Sequence, residues 1–163
     1  MTARGWSCPV GADVILQAHG LRIELPAGWS GRVFRRAGGN ATLHAGDFPL
    51  ALSDGEFGDR STAAMPDVAS FIALTEYLPG SGLKPGSGLF AARNIPRPLD
   101  PTAFAARRLA HPRPGQAGMQ HFFTASGRPL CLYLVIAGGR GARRRQLPVL
   151  DHVLASLRIA ASV

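Results

Sequence analysis

Apolar and polar residues alternate most cleanly from Leu21 to Leu25, where Leu21, Ile23 and Leu25 stand against Arg22 and Glu24. A period of two marks a strand with one buried face. Val14 to Ala18, just upstream, is a second short β-prone run, and Pro26-Ala27-Gly28 ends the pattern. Beyond it, Arg32 to Arg35 and Ala41 to Ala45 flank Ala37-Gly38-Gly39-Asn40, whose glycines and asparagine tolerate the positive φ of a tight turn. The pair predicts a β-hairpin. Residues 53–66 carry Gly, Asp and Ser without a period and read as a loop. Pro66 to Leu78 fits two patterns: Val68, Phe71, Ile72, Thr75 and Leu78 fall at helical spacing, while Ile72 and Leu74 against Phe71 and Tyr77 fit a strand buried on both faces. Periodicity alone does not choose between them.

In the second half, Ala103 to Ala110 is predicted as a strand, bounded by Pro101 and by the breaker Pro112-Arg113-Pro114-Gly115. Met119 to Ala125 and Leu130 to Ala137, joined by Ser126-Gly127-Arg128-Pro129, form the clearest supersecondary unit. Leu130 to Ile136 is apolar at every position, which predicts a central strand covered on both sides. A helix over 147–157 supplies one cover: Leu147, Leu150, Val153, Leu154 and Leu157 recur at helical spacing and Pro148 suits a first turn. Asp151, His152 and Ser156 fall off that stripe. These elements predict an α+β fold in a single domain over 1–163, a twisted antiparallel β-sheet flanked by helices with the C-terminal helix packed on the sheet. One repeat stands out, Pro79-Gly-Ser-Gly-Leu-Lys84 followed by Pro85-Gly-Ser-Gly-Leu-Phe90. Two copies read as a loop duplication, since a solenoid needs at least three stacked units.

Composition narrows the class. The 163 residues are 46% apolar and 17% charged, too apolar for a disordered chain, and no apolar run approaches the roughly 18 residues of a spanning helix. The formal charge is +8, and 17 of the 18 basic residues are arginine, the exception being Lys84. Most are dispersed. The one dense cluster is Arg140, Arg143, Arg144 and Arg145 in the glycine-rich segment 138–146, read as a solvated loop entering the helix. Cys8 and Cys131 are far apart and in no ligand spacing, and the first twenty residues contain no apolar leader, so the expectation is a cytoplasmic, reduced protein. On that expectation the sequon Asn40-Ala41-Thr42 is accidental.

Motifs for catalysis are thin. The only lysine precedes Pro85, which excludes a Walker loop, and Gly86-Ser87-Gly88-Leu89-Phe90-Ala91 matches the loose dinucleotide form without the strand and helix that form requires. The Gly-x-Ser-x-Gly elbow is missing. A Cys131–His121 dyad fails on register, because a simple hairpin closing over 126–129 sets His121 opposite Leu134 and puts the two side chains on opposite faces. The five histidines are scattered, and Asp54-Gly55-Glu56-Phe57-Gly58-Asp59 resembles the start of a calcium loop but lacks its closing bidentate glutamate. Phe122, Phe123, Trp6 and Trp29 read as core or turn anchors.

Leu21-Arg-Ile-Glu-Leu-Pro-Ala-Gly-Trp29 resembles the opening strand of PsbP-like domains, which commonly runs into Pro-x-Gly-Trp. A Gly-Arg turn, the apolar strand Leu130 to Ile136 and a last helix closing as Val153-Leu-Ala-Ser-Leu-Arg-Ile159 resemble the end of the same fold. The resemblance implies a twisted antiparallel sheet sandwiched by helices, favours a strand over Phe71 to Tyr77, and implies a noncatalytic binding or assembly role. It brings no functional residues with it. The expectation is therefore a noncatalytic protein-interaction or assembly module without cofactor or metal, binding a protein partner or itself. The alternative is a nucleic-acid or anionic-surface binder using Arg140, Arg143, Arg144 and Arg145.

Overall fold

The structure, a computed structural model, describes residues 13–37, 41–78 and 83–162. Among the described residues, eight strands form two antiparallel sheets. β1 (Val14–Ala18) and β2 (Leu21–Leu25) pair as a hairpin, and β8 (Arg158–Ile159) adds to the far side of β2. The larger sheet contains β3 (Ser30–Arg35), β4 (Ala41–Gly46), β5 (Ala69–Glu76), β6 (Gln116–Ala125) and β7 (Arg128–Ala137) in the order β3-β4-β5-β7-β6. Two helices accompany them, α1 (Asp59–Ala63) and α2 (Arg140–Ala155). No helix among the described residues is long and apolar enough to cross a membrane.

The predicted central strand is β7, buried at every position. Its two faces join two different cores. Leu130, Leu132, Leu134 and Ile136 point to the main core, where Ile72 and Leu74 of β5, the alternating Leu21, Ile23 and Leu25 of β2, and Leu147, Leu150, Val153 and Leu154 of α2 meet them. Tyr133 and Val135 point the other way, onto Phe71 and Ala73 and under Phe48 and Leu109 from the covering connections. That double burial decides 66–78. Held between β4 and β7, residues 69–76 have apolar partners on both sides, so they pair as a strand, as the PsbP-like resemblance favoured, and Val68 and Leu78 remain exposed outside it.

Four expectations are corrected. Residues 103–110 are not a strand: the chain turns twice in 3-10 geometry, at Pro101–Ala103 and Ala106–Arg108, and pairs with the sheet in β geometry at one bridge, Ala105–Gly118. Asp100 fixes the first turn by accepting the Thr102 N–H, and Gly118 leaves room for Leu109, whose Cδ2 lies 2.8 Å from where a Cβ would stand. The loop at 53–66 contains α1, whose first-turn N–H groups at Arg60 and Ser61, without partners inside the helix, are taken up by the Asp54 carboxylate. The β6–β7 connection is a two-residue turn, Ser126-Gly127, with φ of 51° and 74°, so Arg128 and Pro129 join the strand and His121 faces Leu132 instead of Leu134. A shift of two residues preserves the face, so His121 and Cys131 remain on opposite sides. Finally, the last helix begins at Arg140, and Pro148 sits inside it.

The turn at 38–40, the first half of the hexapeptide repeat at 79–82, and Trp6 and Cys8 lie outside the described residues. The second repeat is fastened to β6: the Gly86 N–H donates to the Thr124 hydroxyl, which donates to the Phe90 carbonyl.

A buried ion pair within the larger sheet is tied by its arginine to the smaller one. Arg128, 4% exposed, donates through Nε to Glu76 on β5, through one terminal nitrogen to the Ala160 carbonyl after β8, and through the other to the His19 carbonyl in the β1–β2 turn. One guanidinium thus satisfies a carboxylate and two carbonyls from three separate segments, the fork geometry for which arginine is suited and lysine is not.

Candidate functional site

The arginine run is the first half of α2. Its helicity has local causes: arginine is a good helix former, and Ala142 and Gln146 extend the buried stripe of Leu147, Leu150, Val153 and Leu154 toward the N-terminus. Gln146 anchors this half, its Nε2 donating to the carbonyls of Ala69 and Ala137 at 2.9 and 3.0 Å, where β5 and β7 meet. Pro148 lacks an N–H for the Arg144 carbonyl, yet as an exposed residue it does not disturb the buried stripe.

With the segment helical, the four arginines divide. Arg140, Arg143 and Arg144 line one cleft of about 450 Å³ together with Leu147 and, from the 3-10 turn opposite, Pro101 and Thr102. Arg145 does not line it and points outward from the helix, exposed. Arg143 is held by its Nε on the Gly138 carbonyl at 3.2 Å. Among the described residues no carboxylate lies within ion-pair distance of any of the four, whereas Arg22, Arg36, Arg113 and Arg128 each have one. The first turn contains no acidic residue. Cations at this end of a helix add to its positive potential instead of offsetting it.

A second arginine-lined cleft, about 410 Å³, lies at the other end of α2. Arg93, Arg97 and Arg158 surround it, and Ile95, Phe123, Leu154 and Leu157 are among its apolar walls. Sequence reasoning missed this group. Arg158 lies far along the chain from Arg93 and Arg97, and the three converge because residues 93–103 run beside α2, tied there by the Leu99 N–H on the Asp151 carboxylate at 2.8 Å. No local spacing carried that signal.

Several groups that catalysis or metal binding could use are engaged in packing, capping or pairing. His44 is fully buried between the rings of Phe34 and Phe71, at 5.1 and 5.3 Å, and burial lowers its pKa. Because its Nε2 meets the Glu56 carbonyl at 3.1 Å, that nitrogen carries the proton, leaving Nδ1 as an acceptor without a partner. Cys131 is buried beside Thr75 and burial pushes its thiol up to about 12, while His121 bonds the Asn94 carbonyl on the other face. In the acidic loop, Asp54 caps α1 and Asp59 pairs with Arg113 at 2.6 Å. No group of three His, Cys, Asp or Glu among the described residues is placed to hold a metal. Thr42 of the sequon is fully buried.

Comparison with protein-family models, with curated proteins and with solved structures found no match.

Proposed function

We propose that this protein is a noncatalytic interaction module that engages an acidic partner through the start of α2. The observation that carries the reading is the convergence of Arg140, Arg143 and Arg144 on one cleft with no carboxylate of the described chain to neutralise them. Uncompensated arginines on a rigid helix suit bidentate recognition of anionic groups and speed encounter with an oppositely charged surface. The engagement of His44, Cys131, Asp54 and Asp59 in packing, capping and pairing supports a role in binding. So does the resemblance to PsbP-like domains, which rests on the sequence segments that carry it. The reading keeps the cytoplasmic location expected from the sequence.

A nucleic-acid partner draws on the same arginines. It is the weaker reading because single-strand binders pair their basic residues with exposed aromatic platforms, and no aromatic residue lines this cleft. The test is fluorescence anisotropy of labelled poly-glutamate and of a labelled oligodeoxythymidine against the full chain, over a salt series. Poly-glutamate binding that weakens with salt, and that the triple change Arg140→Ala, Arg143→Ala, Arg144→Ala abolishes, is the expected result. Binding of neither polyanion at low salt, or unchanged binding by the triple variant, sinks the proposal.

A further inference from the structure

We infer that the two arginine-lined clefts are halves of one docking groove for a linear acidic peptide segment that carries two apolar anchor residues. The inference rests on the reading of α2 given above and extends it by three residues and a partner class. Both clefts lie where the 93–103 segment runs beside α2, one at each end of the helix, and the Asp151–Leu99 contact separates them. Leu147 lines the first and Leu154 the second. Two turns of helix separate these residues by ~10 Å. An extended peptide covers that distance with residues on the same side and about four positions apart, ~13 Å.

The chemistry of the walls selects the occupant. Each cleft joins a trio of arginines, Arg140, Arg143 and Arg144 or Arg93, Arg97 and Arg158, to apolar carbon. Among the described residues none of the six has a carboxylate within ion-pair distance. A ligand matching that lining offers apolar side chains with carboxylates beside them. A continuous row of phosphates matches it poorly, because between the two trios it must cross the Asp151 carboxylate, where a peptide can place an uncharged residue. Phe123, the aromatic residue of the second cleft, is 2% exposed and offers no face for a base. A second copy of this chain is also a poor match. Of its ten carboxylates, Glu24, Glu56, Glu76 and Asp59 are already paired with arginines and Asp47, Asp54, Asp100 and Asp151 accept backbone N–H groups; the other two, Asp13 and Asp67, stand on separate segments and form no acidic run.

The test uses the full chain and three labelled probes: a glutamate-rich peptide with two leucines about four positions apart, the same peptide with serines for leucines, and an oligodeoxythymidine of equal charge. The leucine peptide is expected to bind at least about tenfold tighter than either control, and each arginine trio changed to alanine is expected to weaken it by about tenfold or more, as when central anchors of an interface are removed. Circular dichroism confirms that the variants fold. If the Arg140, Arg143, Arg144 variant loses binding and the Arg93, Arg97, Arg158 variant does not, the continuous groove is refuted while the reading of α2 stands. Equal affinity for the serine peptide refutes the apolar anchors, and tighter binding of the oligonucleotide refutes the partner class. Self-association that either triple variant abolishes makes a second copy the occupant and overturns the inference. Absence of binding by all three probes at low salt overturns both proposals.

Discussion

Removing the Arg128 guanidinium gives the most direct test of how the two sheets are held together. Arg128→Met keeps much of the side-chain volume but leaves Glu76, whose side chain is 13% exposed, without its cation. Stranding one member of a buried ion pair typically costs ~3–5 kcal/mol. The His19 and Ala160 carbonyls lose their donors in the same change, at ~1 kcal/mol each if they stay dry. These effects share one side chain and do not simply add, so the expected loss is ~4 kcal/mol. Arg128→Met with Glu76→Leu removes the stranded charge and leaves only the two carbonyls wanting, so the double variant is expected to recover to within ~1–2 kcal/mol of the parent. Urea unfolding with linear extrapolation measures both, and urea avoids the salt screening that guanidinium chloride brings. A single variant that loses less than ~1 kcal/mol, or a double variant as unstable as the single, would refute the account of Arg128 as a charge-dependent brace.

Gly58→Ala is expected to cost ~2–5 kcal/mol, combining left-handed strain with overpacking, because φ is +67° and the new Cβ falls 2.2 Å from the ring of fully buried Phe71. Gly127→Ala, with φ +74° and nothing within 4 Å, is expected to cost only the ~1–2 kcal/mol of strain; equal losses in urea melts would show that the ring clash contributes nothing. His44, whose folded pKa is depressed by burial, takes up a proton more readily in the unfolded chain, so its contribution to stability falls as the pH drops below about 6.5. His44→Leu is expected to flatten that part of the stability–pH curve, and an unchanged slope would assign it to other groups. In a Cys8→Ser chain the Cys131 thiol, pushed up to about 12 by burial, is expected to resist alkylation at neutral pH until urea unfolds the protein; rapid labelling of the native state would contradict its burial.

Strands were legible where burial is expressed locally. Alternation at Leu21 to Leu25 and the unbroken apolar run at Leu130 to Ile136 each report their own environment, and both became the strands expected. Where a segment takes its structure from a distant partner, the local pattern misled or stayed silent. Residues 103–110 hold enough apolar side chains for a strand, but they pair in β geometry with the sheet edge at Ala105 alone, opposite Gly118. The helix at 59–63 depends on Asp54, which lies before it in a segment without a helical period. For the candidate site the arginine cluster was legible as composition, while its conformation was not: glycines 138, 139 and 141 suggested a loop, and the stripe through Ala142 and Gln146 that makes it helical is too weakly apolar to stand out. Arg93, Arg97 and Arg158 had no sequence signal, since nothing in their spacing foretells that the 93–103 segment lies along α2.

The pairing of β2 with β8 carries a consequence for the order in which the chain is made. Leu21 and Arg22 wait for Ile159 and Arg158, and the Glu24 N–H waits for the Ser156 hydroxyl. Until those residues leave the ribosome, the smaller sheet has two strands, β1 and β2, and lacks its third, and a two-stranded sheet depends on packing for its stability. Their apolar side chains also lack Val153 and Leu154, the part of the main core supplied last. The β6–β7 hairpin, closed by a two-residue turn, needs no such delay. Synthesis therefore separates an early, locally paired centre from a late seal, and pauses or truncations before residue 156 expose Leu21, Ile23 and Leu25 as an unfinished sheet open to chaperones, proteases or mispairing with another chain.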